Sequence, residues 1–365
     1  VSIQDIQESQ DFYSRQRQAA IYKIVGLLWW IIRSNPDSTV YIEAEVDEIS
    51  GKERFQRLYI CFAALKKGLK AGCRLVLDVD SCHLKGPCSG VLLIAVAIDA
   101  NNYIYPIAYA VVEVENKSSW KWLLTFWNTI LASMNKKTRH LSMTSKRYII
   151  CLSSIFIRNH RCFNNFIYVK WQGLGLAIHE ILPGVEHKHS VRHLHNNFKK
   201  LHPGETLKGM FWACIRSTYM NKFESEMDAL RKYDEQAHKW LLNNTTLHHW
   251  SRSHFRSSSK CDILLNNLCE SFNSIILDAR EKSIIGMLEN IRIYLMERLR
   301  TKREWMRKKN DKIYPKIVKK LEKAKDDARA NIARWSDVDK FEVIHMYRGT
   351  SIVDLKQQAC TCRRL

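Results

Sequence analysis

Two carboxylates in this chain, Asp80 and Glu270, are of a type that could hold a divalent cation. Asp80 closes a short apolar run that begins at Cys73. A carboxylate at a strand end offers the hard oxygen ligands that Mg²⁺ or Mn²⁺ requires. Glu270 has Asn266 and Asn273 about one helical turn away, a polar stripe suited to a metal or a phosphate. Each has an ordinary alternative. Asp80 can simply begin a turn, and Glu270 can complete a capping box opened by Asn267. Asp78 is expected on the opposite strand face from Asp80, which makes it a weak substitute. His189 and His193, four apart on a helical face, have zinc-like spacing, although histidines of a basic helix are the plainer reading. Cys360 and Cys362 supply two thiolates, half of a tetrahedral zinc site.

Around these residues the composition is that of a folded, cationic protein. The chain has 365 residues, 46% hydrophobic and 26% charged, enough for two or three structural units and not a disordered tail. Lys and Arg outnumber Asp and Glu by 58 to 37, a formal net charge of +21, which makes a polyanion such as DNA or RNA the natural partner. The 11 cysteines are scattered and odd in number, so reduced thiols in the cytosol or nucleus are expected over a disulfide framework. The longest apolar run, Ile21 to Ile32, contains Lys23 and is too short to span a bilayer, so no membrane location is expected.

The elements that must position the carboxylates follow from periodicity. Residues 1–50 read as helical, and Arg54 to Gly72 as a second amphipathic helix. Cys73–Asp80, Val91–Ile98 and Ile104–Val114 read as three strands, with turns at Gly86–Gly90 and Ala100–Asn102. Ser118 opens an aromatic-rich helix to about Met134. Residues 135–165 fit no rhythm. Phe166–Val169 is a short strand before a helix at Gly173–Leu182, and residues 205–250 are helical. Long helical patterns then run from Asn267 to Trp335, with a dense basic face at Arg298, Arg300, Lys302, Arg303, Arg307, Lys308 and Lys309. Trp305 and Tyr314 interleave with this basic stretch, which could track a DNA backbone; a solvated helix face is the competing reading. Strand character returns at Phe341–Leu355.

In order and number, these pieces resemble the transposase domain of plant Mutator-like elements, MULE, related to MuDR. The resemblance rests on Phe55 to Cys61, Gly72-Cys73-Arg74, Asp80 to Gly86, Asn101 to Ala108, and Val111-Val112-Glu113 with Trp120. It continues through Gly173-Leu174, His187 to Lys199, and Lys260-Cys261-Asp262 on to Asn273. Val353-Asp354-Leu355 with Cys360-Thr361-Cys362 looks like the start of a SWIM zinc finger. The resemblance covers nearly all of the chain outside residues 135–165. It implies an α/β, ribonuclease-H-like transposase core with a large helical insertion. Its segments would be a helical region at 1–70, the core at 71–200 with 135–165 as an atypical insertion, and a helical insertion at 201–262. C-terminal helices with the third acid would follow at 263–340, and the truncated SWIM-type start at 341–365.

The implied chemistry is two-metal strand cleavage and transfer at terminal inverted repeats in nuclear DNA. Asp80 and Glu270 would be the first and third acids of an Asp-Asp-Glu triad. Three positions depart from the family. Ser81 replaces a glycine, Ser190 replaces a cysteine, and the register of Gly173-Leu174 puts Val169 where the second aspartate belongs. Valine cannot ligate a metal; Glu180 and Glu186, the nearest acids, sit at no strand end. The expected function is therefore a transposase-derived DNA-binding protein impaired as an enzyme. Mg²⁺ or Mn²⁺ would serve only an active form, and Zn²⁺ only a finger completed beyond Leu365. Assembly into a homo-oligomer is left open. The alternatives are an active enzyme with a substitute acid, a domesticated DNA-binding or transcription-regulating protein, and a decayed reading frame in which residues 135–170 are misread intron.

Overall fold

In the computed structural model the β-branched and aromatic run Thr-Val-Tyr-Ile opens a partly buried strand, which continues through Glu-Ala-Glu-Val. The structure describes residues 22–46, 51, 53–132, 166–169, 172–183, 185–244, 246–255, 268–309, 313–347 and 349–362. The chain opens with α1 (residues 22–34), β1 Thr39–Val46, β2 Glu53–Cys61, α2 Ala63–Gly72, β3 Arg74–His83, β4 Val91–Ile98, β5 Ile104–Val112 and α3 Lys117–Ala132. It continues with β6 Phe166–Val169, α4 Gln172–Ile181, β7 Glu186–His189, α5 Val191–Leu201, α6 Glu205–Arg216, α7 Met220–Tyr233, α8 Glu235–Asn244 and α9 Leu247–Trp250. The last elements are α10 Leu268–Ile275, α11 Ile284–Arg307, α12 Pro315–Ala328, β8 Asn331–Asp337, β9 Lys340–His345, β10 Gly349–Asp354 and β11 Ala359–Cys360.

The described residues fall into two compact units. The first draws on Val1–Cys162, Trp171–Gly184 and Leu268–Asn310. Its sheet runs β1-β2-β5-β4-β3, and every neighbouring pair is antiparallel. All eight residues of β4 are buried, which is why Val91–Ile98 is continuously apolar. On one sheet face, Leu58, Ile60, Cys82, Leu92, Ile94, Val96, Tyr109 and Val111 share a core with α1, α10 and α11. On the other, α3 stacks Phe126 on Tyr59 with centroids 4.7 Å apart, and α4 packs against α3.

The second unit draws on Phe163–Lys170, Val185–Asn267 and Asp311–Leu365. Strands β6 and β7 pair in parallel. Helices α5 to α9 enclose a core of Val191, Phe198, Phe211, Ile215, Met227, Leu230 and Trp250. A separate antiparallel sheet runs β11-β10-β9-β8. Among the described residues no helix is long and apolar enough to cross a membrane.

The α/β class and the three antiparallel strands are as expected, as are β6 and the helices of 205–250. Three expectations are corrected. Residues 39–46 are strand, not the tail of a helical region. Residues 53–61 are strand before α2 begins, because Leu58 to Cys61 are buried in sequence rather than at helical spacing. Residues 331–337 pair with β9 instead of extending a helix. Residues 135–165 lie outside the described residues.

A polar pair ties β2 to the end of β5. The Arg57 Nε donates to Glu113 Oε2 at 2.8 Å, and a second guanidinium nitrogen donates to Oε1. This bonding holds the Glu113 carboxyl below the usual carboxylate range. A carboxyl made more acidic by folding adds stability above its unfolded pKa of ~4.3, and that stability drains away as pH falls through the folded value. Wild type should therefore lose urea resistance below about pH 4.3 more steeply than Glu113→Gln. The difference should be modest, since the carboxylate side chain is 38% exposed. Parallel pH curves for the two proteins would refute the linkage.

Candidate functional site

Strand β3 sets the geometry around Asp80. From Leu77 to His83 its register with β4 is continuous, with Asp78 opposite Val96, Asp80 opposite Ile94 and Cys82 opposite Leu92. Residues two apart in such a strand point to one face. Asp78 and Asp80 therefore share a face, contrary to the expectation that they oppose each other. Both are buried, Asp78 at 0% exposure and Asp80 at 6%. Ser81 points the other way, where its hydroxyl donates to Glu115 Oε2. The Trp120 indole donates to the second oxygen of Glu115 at 3.2 Å. The serine at the expected glycine position thus fastens β3 to the start of α3.

The helix that carries Glu270 docks on the Asp78 side. Helix α10 buries Cys269 and Phe272 and packs against β3 and β4. Its first turn needs acceptors for backbone N–H groups. Asp78 supplies one, for the Cys269 N–H donates to Asp78 Oδ2 at 2.8 Å, and the Cys269 thiol donates to the Asp78 carbonyl at 3.2 Å. Burial pushes the thiol pKa well above its ordinary value, and the charges of Asp78 and Asp80 push it further. The thiol therefore remains a donor. Glu270, half-buried, follows directly on this anchored amide. Asn266 and Asn267 lie outside the described residues.

The loop after β3 is held as tightly. The Lys85 N–H donates to the Arg280 carbonyl at 2.9 Å. Gly86 runs so close to the Lys282 backbone that a Cβ there would collide with its carbonyl, which explains the glycine.

Asp80 on β3 and Glu270 on α10 thus belong to one unit and to elements in contact. Among the described residues no group of three His, Cys, Asp or Glu side chains is placed to hold a metal. Val169 ends β6. Glu180 is committed to α3, with Lys117 at 3.1 Å and a hydrogen bond from Lys121. Glu186 begins β7. His189 closes β7 whereas His193 lies in α5, so the two share no helical face, a correction to the zinc-like spacing. The Cys360 and Cys362 sulfurs lie 2.8 Å apart at β11.

The basic residues lie on and just beyond α11. Its first half is buried through Met287, Leu288, Ile291 and Leu295, and the second half leaves the core. Arg298 turns inward, donating to the Ile104 carbonyl at 2.6 Å and the Tyr294 hydroxyl at 3.2 Å. Arg300 pairs with Glu304 at 2.8 Å. Lys302 holds its ammonium 3.8 Å above the Tyr103 ring centroid. Arg303, Arg307, Lys308 and Lys309 are exposed. By helical spacing, Arg298 and Lys302 line one side of α11 while Arg300, Arg303 and Arg307 line another, and Lys308 and Lys309 follow its end. Sequence reasoning missed the inward turn of Arg298, the cap supplied by Asp78 and the Arg57–Glu113 pair, each made between residues distant in the chain.

The class defined so far is a mixed α/β protein with a buried acidic strand and a basic helix. A family model described as the MULE transposase domain matches residues 76–163, the stretch that carries Asp80 and β4, β5 and α3. The match supports a MULE-family transposase over that segment. No curated protein matches the chain.

Proposed function

We propose that this chain is a DNA-binding protein derived from a Mutator-like transposase, with a ribonuclease-H-like core and a helical insertion, and without strand-cleaving activity of its own. The observation that carries the reading is the MULE match laid over the antiparallel β3-β4-β5 strands that bear Asp80. Glu270 on α10 is the natural companion acid. The net charge of +21 and the exposed cations of α11 favour the backbone of nuclear DNA as partner.

Asp80 and Glu270 alone do not fit a two-metal centre. Two divalent cations about 3.5–4 Å apart need more carboxylate charge than two side chains carry. Valine closes β6, where the family register expects an aspartate, and it offers no oxygen. Metal-dependent cleavage is therefore no part of the function proposed.

The test is a binding and cleavage assay on duplex DNA carrying the terminal inverted repeats of the encoding element, with Mg²⁺ or Mn²⁺ present. The expected result is salt-sensitive binding, no cleavage, and the same affinity for Asp80→Ala. Cleavage abolished by Asp80→Ala would establish an active enzyme with a substitute acid. No binding at low salt would remove the DNA-binding reading.

A further inference from the structure

The turn between β4 and β5 is locked by its own chain. The Asp99 carboxylate accepts the N–H groups of Asn101 and Tyr103 at 2.9 and 2.8 Å, and Asn102 takes a left-handed conformation with φ 59°. Tyr103 is thereby presented from a rigid support. Arg298 then fastens α11 to the same turn through its 2.6 Å bond to the Ile104 carbonyl. One helical turn further on, the Lys302 ammonium sits 3.8 Å from the Tyr103 centroid and 5.9 Å from that of Trp305. Lys309 sits 5.9 Å from Trp305 on its own account. Two aromatic rings therefore brace two ammonium groups at the C-terminal end of α11. Among the described residues neither ammonium is paired with a carboxylate, unlike Arg300 with its Glu304.

We infer that Tyr103 and Trp305 hold Lys302 and Lys309 as a preorganised contact for backbone phosphates of nucleic acid. The inference rests on the DNA-binding reading above and names the surface that serves it. A free lysine loses much rotamer freedom when it settles on a phosphate. A lysine already held over a ring has lost part of that freedom, while its ammonium keeps N–H donors for phosphate oxygens. The rings add no charge and read no base, so the contact is independent of sequence. Arg298 is then a positioning residue that holds helix to turn.

The experiment follows the anisotropy of a labelled duplex across a salt series, with thermal melting to check that each variant is folded. Lys302→Gln with Lys309→Gln should weaken binding about tenfold and flatten the log K against log salt slope by roughly 0.9 for each lysine. Tyr103→Leu and Trp305→Leu keep every charge. Each should weaken binding about threefold and leave the slope unchanged, since bracing alters the cost of ordering and not the counterions released. Lysine variants that bind like wild type, with an unaltered slope, would overturn the contact. Ring variants that bind like wild type while the lysine variants do not would overturn the bracing. Wild type that binds no DNA would instead sink the reading on which the inference rests.

Discussion

Asp78→Ala should lower the unfolding free energy by about 2–4 kcal/mol, a large loss for a single side chain on a strand. Two costs add. The Cys269 N–H, buried in the core, would lose the Asp78 oxygen that accepts it at 2.8 Å. An orphaned buried donor costs about 1–3 kcal/mol, and the missing cap at the start of α10 about 1 more. Asp78→Asn keeps an oxygen of similar shape at the same point and should cost roughly 1 kcal/mol or less. Urea midpoints of the two variants measure the difference. Amide exchange at Cys269 and Glu270 should quicken in the alanine variant well before global unfolding, because the first turn of α10 loses its anchor. Equal midpoints for Asn and Ala would mean that the charge, and not the acceptor, is what the helix uses. The consequence reaches the candidate site, since Glu270 is placed by the amide beside it.

The same carboxylate shows where reading the chain succeeds and where it stops. Val91–Ile98 is legible as a strand because both of its faces are buried, so every residue is apolar. Phe166–Val169 is legible from its β-branched and aromatic run between polar flanks. Strand β1 is not, because it is only half-buried and its glutamates break the apolar signal. Strand β2 merges with α2 in sequence, since the exposed first half of β2 and the lysines of α2 together mimic one amphipathic pattern. Asp78 is two residues from Asp80 and so shares its face, but nothing local marks it as a cap. Its partner lies 191 residues away. Arg298 looks like one more cation in a basic helix until its bond to a carbonyl 194 residues distant is seen. Local pattern thus finds elements, whereas the roles of charged side chains depend on contacts that close long loops.

That distinction sets the second large effect, the salt dependence of DNA binding. A chain of net charge +21 that engages six to ten phosphates should lose about 10³–10⁵ in affinity between roughly 50 and 200 mM salt. The cations that supply this slope must be exposed and must not already be spent on protein partners. Arg298, turned to Ile104, should add little, and its removal should show as a lower melting point. Arg300 must first leave Glu304, so Arg300→Gln should change the slope less than a free arginine does. Arg303 and Arg307 are exposed four residues apart on one side of α11. Arg303→Gln with Arg307→Gln should flatten the slope by roughly 1.8, at about 0.9 for each phosphate no longer neutralised. Asp80→Ala should leave the slope alone, because a carboxylate only 6% exposed neutralises no phosphate and releases no counterion. A slope unmoved by the arginine pair, yet altered by Asp80→Ala, would place the DNA at the acidic strand and not on the helix. The arginines would then be solvated charge, and the helix would not be the surface that meets the DNA.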